Sequence, residues 1–196
     1  MPRSHASLRV ITDPRPPPAL PSPVLGMLIF VITEAMLFAG LISAFLIVKA
    51  SSLGAWPPPG QPRLPVEETA FNTAALLLSG VVLWRARRVF AASRAEVLRP
   101  LGLAIGLGAF FVFFQGYEWA RMLGQGLTLT SSNHGSFFYL IVGIHALHAV
   151  AGLALLANAW WRLRGGFLSG NFFAATQVFW LFVVGLWPIL YVLVYG

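Results

Sequence analysis

An all-α, polytopic transmembrane helix bundle with five spans is the fold class this sequence predicts, on three observations. The 196-residue chain is 58% hydrophobic and only 10% charged, with a mean hydropathy of +0.77. A soluble domain usually has about a quarter of its residues charged, because its surface must be wetted. Five apolar runs occur, each long enough to cross a hydrocarbon core that needs about 20 helical residues. The basic residues gather at the ends of those runs and not on one polar face, so the net charge of +7 speaks for lipid head groups and not for nucleic acid.

Residues 1–23 read as a cytoplasmic tail. Pro14, Pro16, Pro17, Pro18, Pro21 and Pro23 favour extended polyproline structure, and Arg3, Arg9 and Arg15 lie nearby. A cleaved leader is not expected, since the apolar run that follows is too long and lacks a small-x-small exit. Residues 24–196 form the membrane domain, with spans at about 24–48, 69–89, 97–123, 136–161 and 172–195. The second is the weakest. Its uncharged part is Thr69–Trp84, and it crosses only if Arg85, Arg87 and Arg88 snorkel at its end.

The loops set the orientation. Ten of the 13 basic residues fall on one side: Arg3, Arg9, Arg15, Arg85, Arg87, Arg88, Arg94, Arg99, Arg162 and Arg164. The other side carries Lys49, Arg63 and Arg121, against Glu67 and Glu68. This bias places the N-terminus in the cytoplasm and the C-terminus in the periplasm, and five spans satisfy that parity. Ala35, Ala39 and Ser43, and likewise Gly102 and Gly106, recur every four residues as faces where helices can approach. Trp160, Trp161, Trp180, Trp187 and Tyr195 read as an interfacial belt.

Two glutamates and two histidines stand inside the spans. Glu34 lies about ten positions into the first, roughly 15 Å along a helix and near the middle of the bilayer. An ionised carboxylate there costs at least about 3 kcal/mol, so Glu34 is expected to be neutral, paired or turned inward. Two roles stay open for it: a hydrogen-bonded tie between helices, or a proton-handling group. Glu118 lies three residues before Arg121, and an i,i+3 ion pair accounts for it. His145 and His148 share a face in the fourth span. A metal would need further ligands there, so two interhelical hydrogen bonds are the expectation. Cysteine is absent, which removes disulfides, iron–sulfur clusters and cysteine-bridged copper. No nucleophile with its base and no phosphate-binding glycine loop appears.

In order along the chain, these polar positions resemble subunit III of the haem-copper terminal oxidases, in its short five-helix bacterial form. The stretch Gly26 to Phe30 and Thr33-Glu34 to Gly40 is similar to that family's glutamate-bearing helix. Phe71-Asn72-Thr73 and Leu76 to Ser79 resemble its Asn-Thr helix, and Gln115 to Glu118 its Gln-x-x-Glu end. Ser132 to Phe138, then Gly143, His145, His148 and Gly152, resemble its Gly-Ser-x-Phe-Phe and Gly-Phe-His-Gly-x-His-Val patterns. Phe179-Trp180 through Trp187 and Tyr195-Gly196 resemble its closing helix. The family usually closes with Trp-His-Phe-Val-Asp, where this chain has Leu181 and Val184 at the histidine and aspartate positions; His134 stands for a tyrosine.

The resemblance implies a non-catalytic subunit of a respiratory oxidase in the bacterial inner membrane. Such a subunit packs on catalytic subunit I and other oxidase subunits, holds membrane phospholipids, and supports proton uptake while the complex reduces oxygen to water. It implies no cofactor in this chain, with haem and copper in the partner subunits. Glu34, Glu118, His145 and His148 are the candidate proton-handling or buried polar residues, and no catalytic residue or metal ligand is expected. An accessory subunit of nitric oxide reductase and an independent proton or solute transporter are the alternatives.

The orientation is testable directly. Tags placed at residue 92 and at residue 165 should be protected from a periplasmic protease, whereas a C-terminal tag should be cleaved. A periplasmically accessible loop at residues 86–96 would overturn the orientation and the parity together.

Overall fold

The computed structural model describes residues 20–52, 56 and 66–195. The stretches 1–19, 53–55 and 57–65 and Gly196 lie outside the described residues, and with them most of the Pro/Arg-rich tail, His5 and Arg63. Among the described residues there is no strand. The helices are α1 (Ser22–Ser51), α2 (Val66–Val89), α3 (Arg94–Gly124), α4 (Asn133–Arg164) and α5 (Gly170–Leu190), and α5 runs on into a π turn, Tyr191–Tyr195. All five are long and apolar enough to span a membrane, and each begins within three residues of its expected boundary.

The helix ends follow from local chemistry. Ser132 and Ser169 cap α4 and α5, their hydroxyls accepting from the backbone N–H of Gly135 at 3.1 Å and of Phe172 at 3.2 Å. The C-termini of α3 and α4 close in the same way. Gly126 (φ +91°) and Gly166 (φ +79°) adopt the left-handed conformation that glycine tolerates best. The following N–H groups of Leu127 and Phe167 then reach back to the carbonyls of Met122 and Arg162, each at 3.1 Å. At the other end of α2, Arg88 stacks on Trp84 with its guanidinium 3.7 Å from the ring centre, so the charge sits at the edge of the weakest span.

Helix α5 is the centre of the bundle, packing against α1, α2 and α4, while α2 pairs closely with α3 and α3 with α4. Half of the α5 span is buried, against 6% of α1, which stands at the edge on α4 and α5. Polarity is inverted relative to a soluble bundle. In α2 the buried stripe is Thr69, Asn72, Thr73, Leu76, Ser79 and Gly80, whereas Phe71, Leu77, Leu78, Val81 and Trp84 face outward. Hydrocarbon solvates the apolar side chains, and hydroxyls and amides find partners only inside.

Two expectations need correction. Trp180 and Trp187 are fully buried and do not belong to an interfacial belt, although Trp161 is exposed as a belt residue would be. Each buried indole donates to a hydroxyl of α2: Trp180 Nε1 to Ser79 Oγ at 3.1 Å, and Trp187 Nε1 to Thr73 Oγ1 at 2.8 Å. Each hydroxyl in turn donates to a carbonyl of its own helix, Leu76 or Thr69. The tight helix approaches are also elsewhere than the four-residue repeats indicate. A Cβ on Gly106 would meet nothing within 4 Å, and Ala35, Ala39 and Ser43 line an open cleft. The close approaches are at Gly108 and Gly152, where a Cβ would lie 2.6 and 2.7 Å from the Trp180 ring.

Gly108→Ala and Gly152→Ala should therefore each lower stability by about 1–3 kcal/mol, because the ring they would strike is itself enclosed. Gly106→Ala should be neutral or stabilising by up to about 1 kcal/mol through helix propensity. Thermal unfolding of the three variants in one detergent would show the order.

Candidate functional site

The structure sorts the four candidate side chains into two polar centres at different depths, with His145 between them. The deeper centre joins α1 to α4. Glu34 is about 18 Å from the start of α1 at 1.5 Å per residue, and His148 is midway along α4. Glu34 Oε2 lies 3.0 Å from His148 Nε2, and both side chains are largely buried. His148 Nδ1 lies 2.8 Å from the carbonyl oxygen of Ile144, one turn earlier in α4. A carbonyl only accepts, so Nδ1 carries a proton and is the donor.

That bond constrains the pair. Nε2 is either a lone pair accepting from a neutral Glu34 carboxyl, or an N–H donating to a carboxylate. One proton is shared between Oε2 and Nε2, and the pair is neutral overall in both arrangements. This resolves how a carboxyl sits mid-span without a net charge in hydrocarbon. Phe38 and Phe179 close around the imidazole, their ring centres 5.5 and 6.1 Å from it. Water is thereby kept from two sides of the shared proton.

The shallower centre lies toward the end of α3. Glu118 is 2% exposed, and its Oε2 accepts from Thr69 Oγ1 at 3.1 Å and from Gln115 Nε2 at 3.0 Å. Gln115 Nε2 also donates to Tyr195 Oη at 3.0 Å, the hydroxyl carried there by the π turn that follows Pro188. The expected Glu118–Arg121 pair does not form. Arg121 reaches outward to Glu68 Oε2 at 3.6 Å, both side chains about half exposed, while Glu118 points into the bundle. Nearby, Asn72 Nδ2 donates to the Phe111 carbonyl at 3.2 Å and ties α2 to α3.

His145 behaves differently from the expectation of two interhelical hydrogen bonds. It is 1% exposed, its ring stacks on Trp187 at 5.0 Å, and neither nitrogen has a hydrogen-bond partner among the described residues. Spacing at i and i+3 puts the two histidines near one another, but their roles separate: one pairs with α1, the other lies under α5. Thr69, Gln115 and Tyr195 were not among the candidate residues. A signal for the first was present, since Thr69, Asn72, Thr73 and Ser79, at spacings of about three, four and seven residues, share one face of a membrane helix. The Tyr195 contact bridges 80 positions and has no local signature.

Glu34 and His148 form a pair whose coupling can be measured. Glu34→Leu leaves the His148 Nε2 unsatisfied, and His148→Leu leaves the carboxyl so; each should cost about 1–3 kcal/mol. Removing both should cost less than the sum, because no orphan remains, and Glu34→Gln should be nearly neutral. A double-mutant cycle on thermal unfolding of the chain in detergent checks this.

This arrangement can tie helices together and hold a proton, but it presents no open reactive group. The family model described as cytochrome c oxidase subunit III matches residues 22–196, all five helices. Among curated proteins named cytochrome c oxidase subunit 3, that of Lemur catta is 33% identical over 179 residues, covering 87% of this chain and 64% of the relative. That of Dugong dugon is 34% identical, covering 87% and 67%. The protein of that name from the cyanobacterium Synechocystis sp. is 31% identical over 175 residues, covering 87% and 73%. The chain thus spans about two thirds of the length of these relatives. With the five helices and their buried polar positions falling inside the matched region, the chain belongs to the cytochrome c oxidase subunit III family.

Proposed function

We propose that this chain is the third subunit of a bacterial respiratory haem-copper oxidase, packing on the catalytic subunit while the complex reduces oxygen to water. The observation that carries the reading is the family match over residues 22–196. The chemistry of the histidines supports placing haem and copper in partner subunits. Both nitrogens of His148 are engaged, by Glu34 and by Ile144, and His145 is stacked under Trp187. Neither is presented as an axial ligand to a macrocycle, whose two ligands approach from opposite faces.

The chain's lipid role rests on the cleft between α1 and α5. It measures about 570 Å³ and is walled by Ala35, Ala39 and Ser43 on one side and by Leu181, Gly185 and Ile189 on the other. Small residues on both helices keep the walls apart, and its almost wholly apolar lining suits a phospholipid acyl chain. For Glu34 we favour the structural role over proton handling, since His148, itself flanked by Phe38 and Phe179, is its one side-chain hydrogen-bond partner among the described residues.

An affinity-tagged chain extracted in mild detergent should bring down a haem- and copper-containing core that consumes oxygen. A core that turns over nitric oxide instead, or coupled solute flux through the reconstituted chain alone, would overturn the proposal. The separated chain should carry no haem absorbance and no stoichiometric copper, zinc or iron. One metal equivalent that vanishes in His148→Ala would contradict that. The Glu34→Gln complex should assemble and consume oxygen at the unaltered rate from about pH 6 to 9. Slowing as pH rises would mark Glu34 as a proton-handling group, because bulk protons become scarce there.

A further inference from the structure

Between α3 and α4, one turn deeper than Glu118, lies a cavity of about 150 Å³ bounded by Phe111, Gln115, Trp119, Val142, His145 and Trp187. Most of its wall is apolar. Two of the side chains that line it nevertheless carry polar atoms with no hydrogen-bond partner among the described residues: Gln115 Oε1 and both ring nitrogens of His145. Both residues are almost completely enclosed, His145 at 1% exposure and Gln115 at 4%.

Neither side chain can turn away to find a partner. The His145 ring is held by stacking on Trp187 at 5.0 Å and by the edges of Phe38 and Phe111 at 6.4 and 6.5 Å. The Gln115 amide is fixed through Nε2, which donates to both Glu118 and Tyr195. A neutral imidazole presents one N–H and one lone pair, and the Gln115 oxygen is an acceptor. The unmet groups are thus one donor and two acceptors. Water has the complementary valence, donating twice and accepting twice.

We propose that this cavity is a hydration site, holding a small cluster of ordered water that completes the hydrogen bonding of His145 and Gln115 inside the membrane. At about 30 Å³ per molecule in the liquid, the volume admits on the order of five waters at most. An acyl chain would suit the apolar wall but leave these three polar atoms unmet. A cation finds no free carboxylate on the lining, since Glu118 is not part of it. The consequence is continuity. Water links the Thr69–Glu118–Gln115 cluster to His145, and Phe38 lies against both His145 and His148, at 6.4 and 5.5 Å. The two polar centres are then separated by one turn of α4.

The inference concerns the chain itself and does not depend on which gas the complex reduces. Its test uses the full chain in phospholipid bilayers with ¹⁵N-labelled histidine, of which there are four residues. The His145 ring signal is assigned by its loss in His145→Phe. In magic-angle-spinning spectra, that ring should show transfer from water protons. Transfer from acyl-chain protons only, or from neither, overturns the proposal. Ala146, which also lines the cavity, provides the second arm. In Ala146→Leu the added side chain should displace the water and abolish the His145 transfer while the His148 signal stays unchanged. A transfer that persists in this variant shows that water reaches His145 by another route, and removes the assignment to this cavity. Should the variant not insert, the wild-type spectrum decides.

Discussion

The seat of one indole is the constraint on which the rest of the bundle depends. Trp180, on the central helix, presses its ring against Gly108 of α3 and Gly152 of α4 and donates its N–H to Ser79 of α2. One side chain thereby sets the spacing of four helices. In lipid, apolar surface gains little by leaving its solvent, so helix association rests on close packing and on hydrogen bonds. A large flat ring against two backbones without Cβ atoms supplies the first, and its N–H supplies the second. Trp187, seven residues later, repeats the arrangement one level along, with Thr73 as acceptor and with Phe111 and His145 as ring neighbours.

Once that spacing is set, the buried polar groups have defined partners. The hydroxyls of Thr73 and Ser79 each accept from an indole while donating back to their own helix, so neither is left unmet. Asn72 and Glu118 tie α2 to α3, and Gln115 ties α3 to the end of α5. Among the described residues, helix α1 receives no such side-chain hydrogen bond from α2 or α3. It is held by Glu34 to His148 and by contacts with α5, among them Phe30 with Phe179 and Phe38 with Phe182. A lone edge helix with one central polar bond leaves a cleft along α5, and that cleft is where a lipid chain fits.

The departures at Leu181 and Val184 become intelligible in this frame. Val184 is buried against Gly80, where a Cβ would be 3.0 Å from its Cγ1, and Leu181 is partly exposed along the cleft. Both positions are occupied by packing. Among the described residues, the buried carboxyls sit instead at Glu34–His148 and around Glu118, in two clusters with no hydrogen bond between them.

The number of spans, their approximate ends and the requirement that Glu34 be neutral, paired or turned inward were determined by the sequence alone. Hydrocarbon imposes a minimum apolar length and a cost on each mid-span charge, and both can be counted along a chain. The capping serines and the glycines after α3 and α4 are equally local. Partner choice was decided only by the tertiary structure. Glu34 meets a histidine 114 positions away, Glu118 turns from its near neighbour Arg121 to Thr69, and two tryptophans suited to an interface lie buried instead. Each outcome depends on how far apart the helices stand and how each is rotated about its axis. Those two quantities follow from the packing of Trp180 on Gly108 and Gly152, contacts spread over three helices that no single stretch of sequence contains.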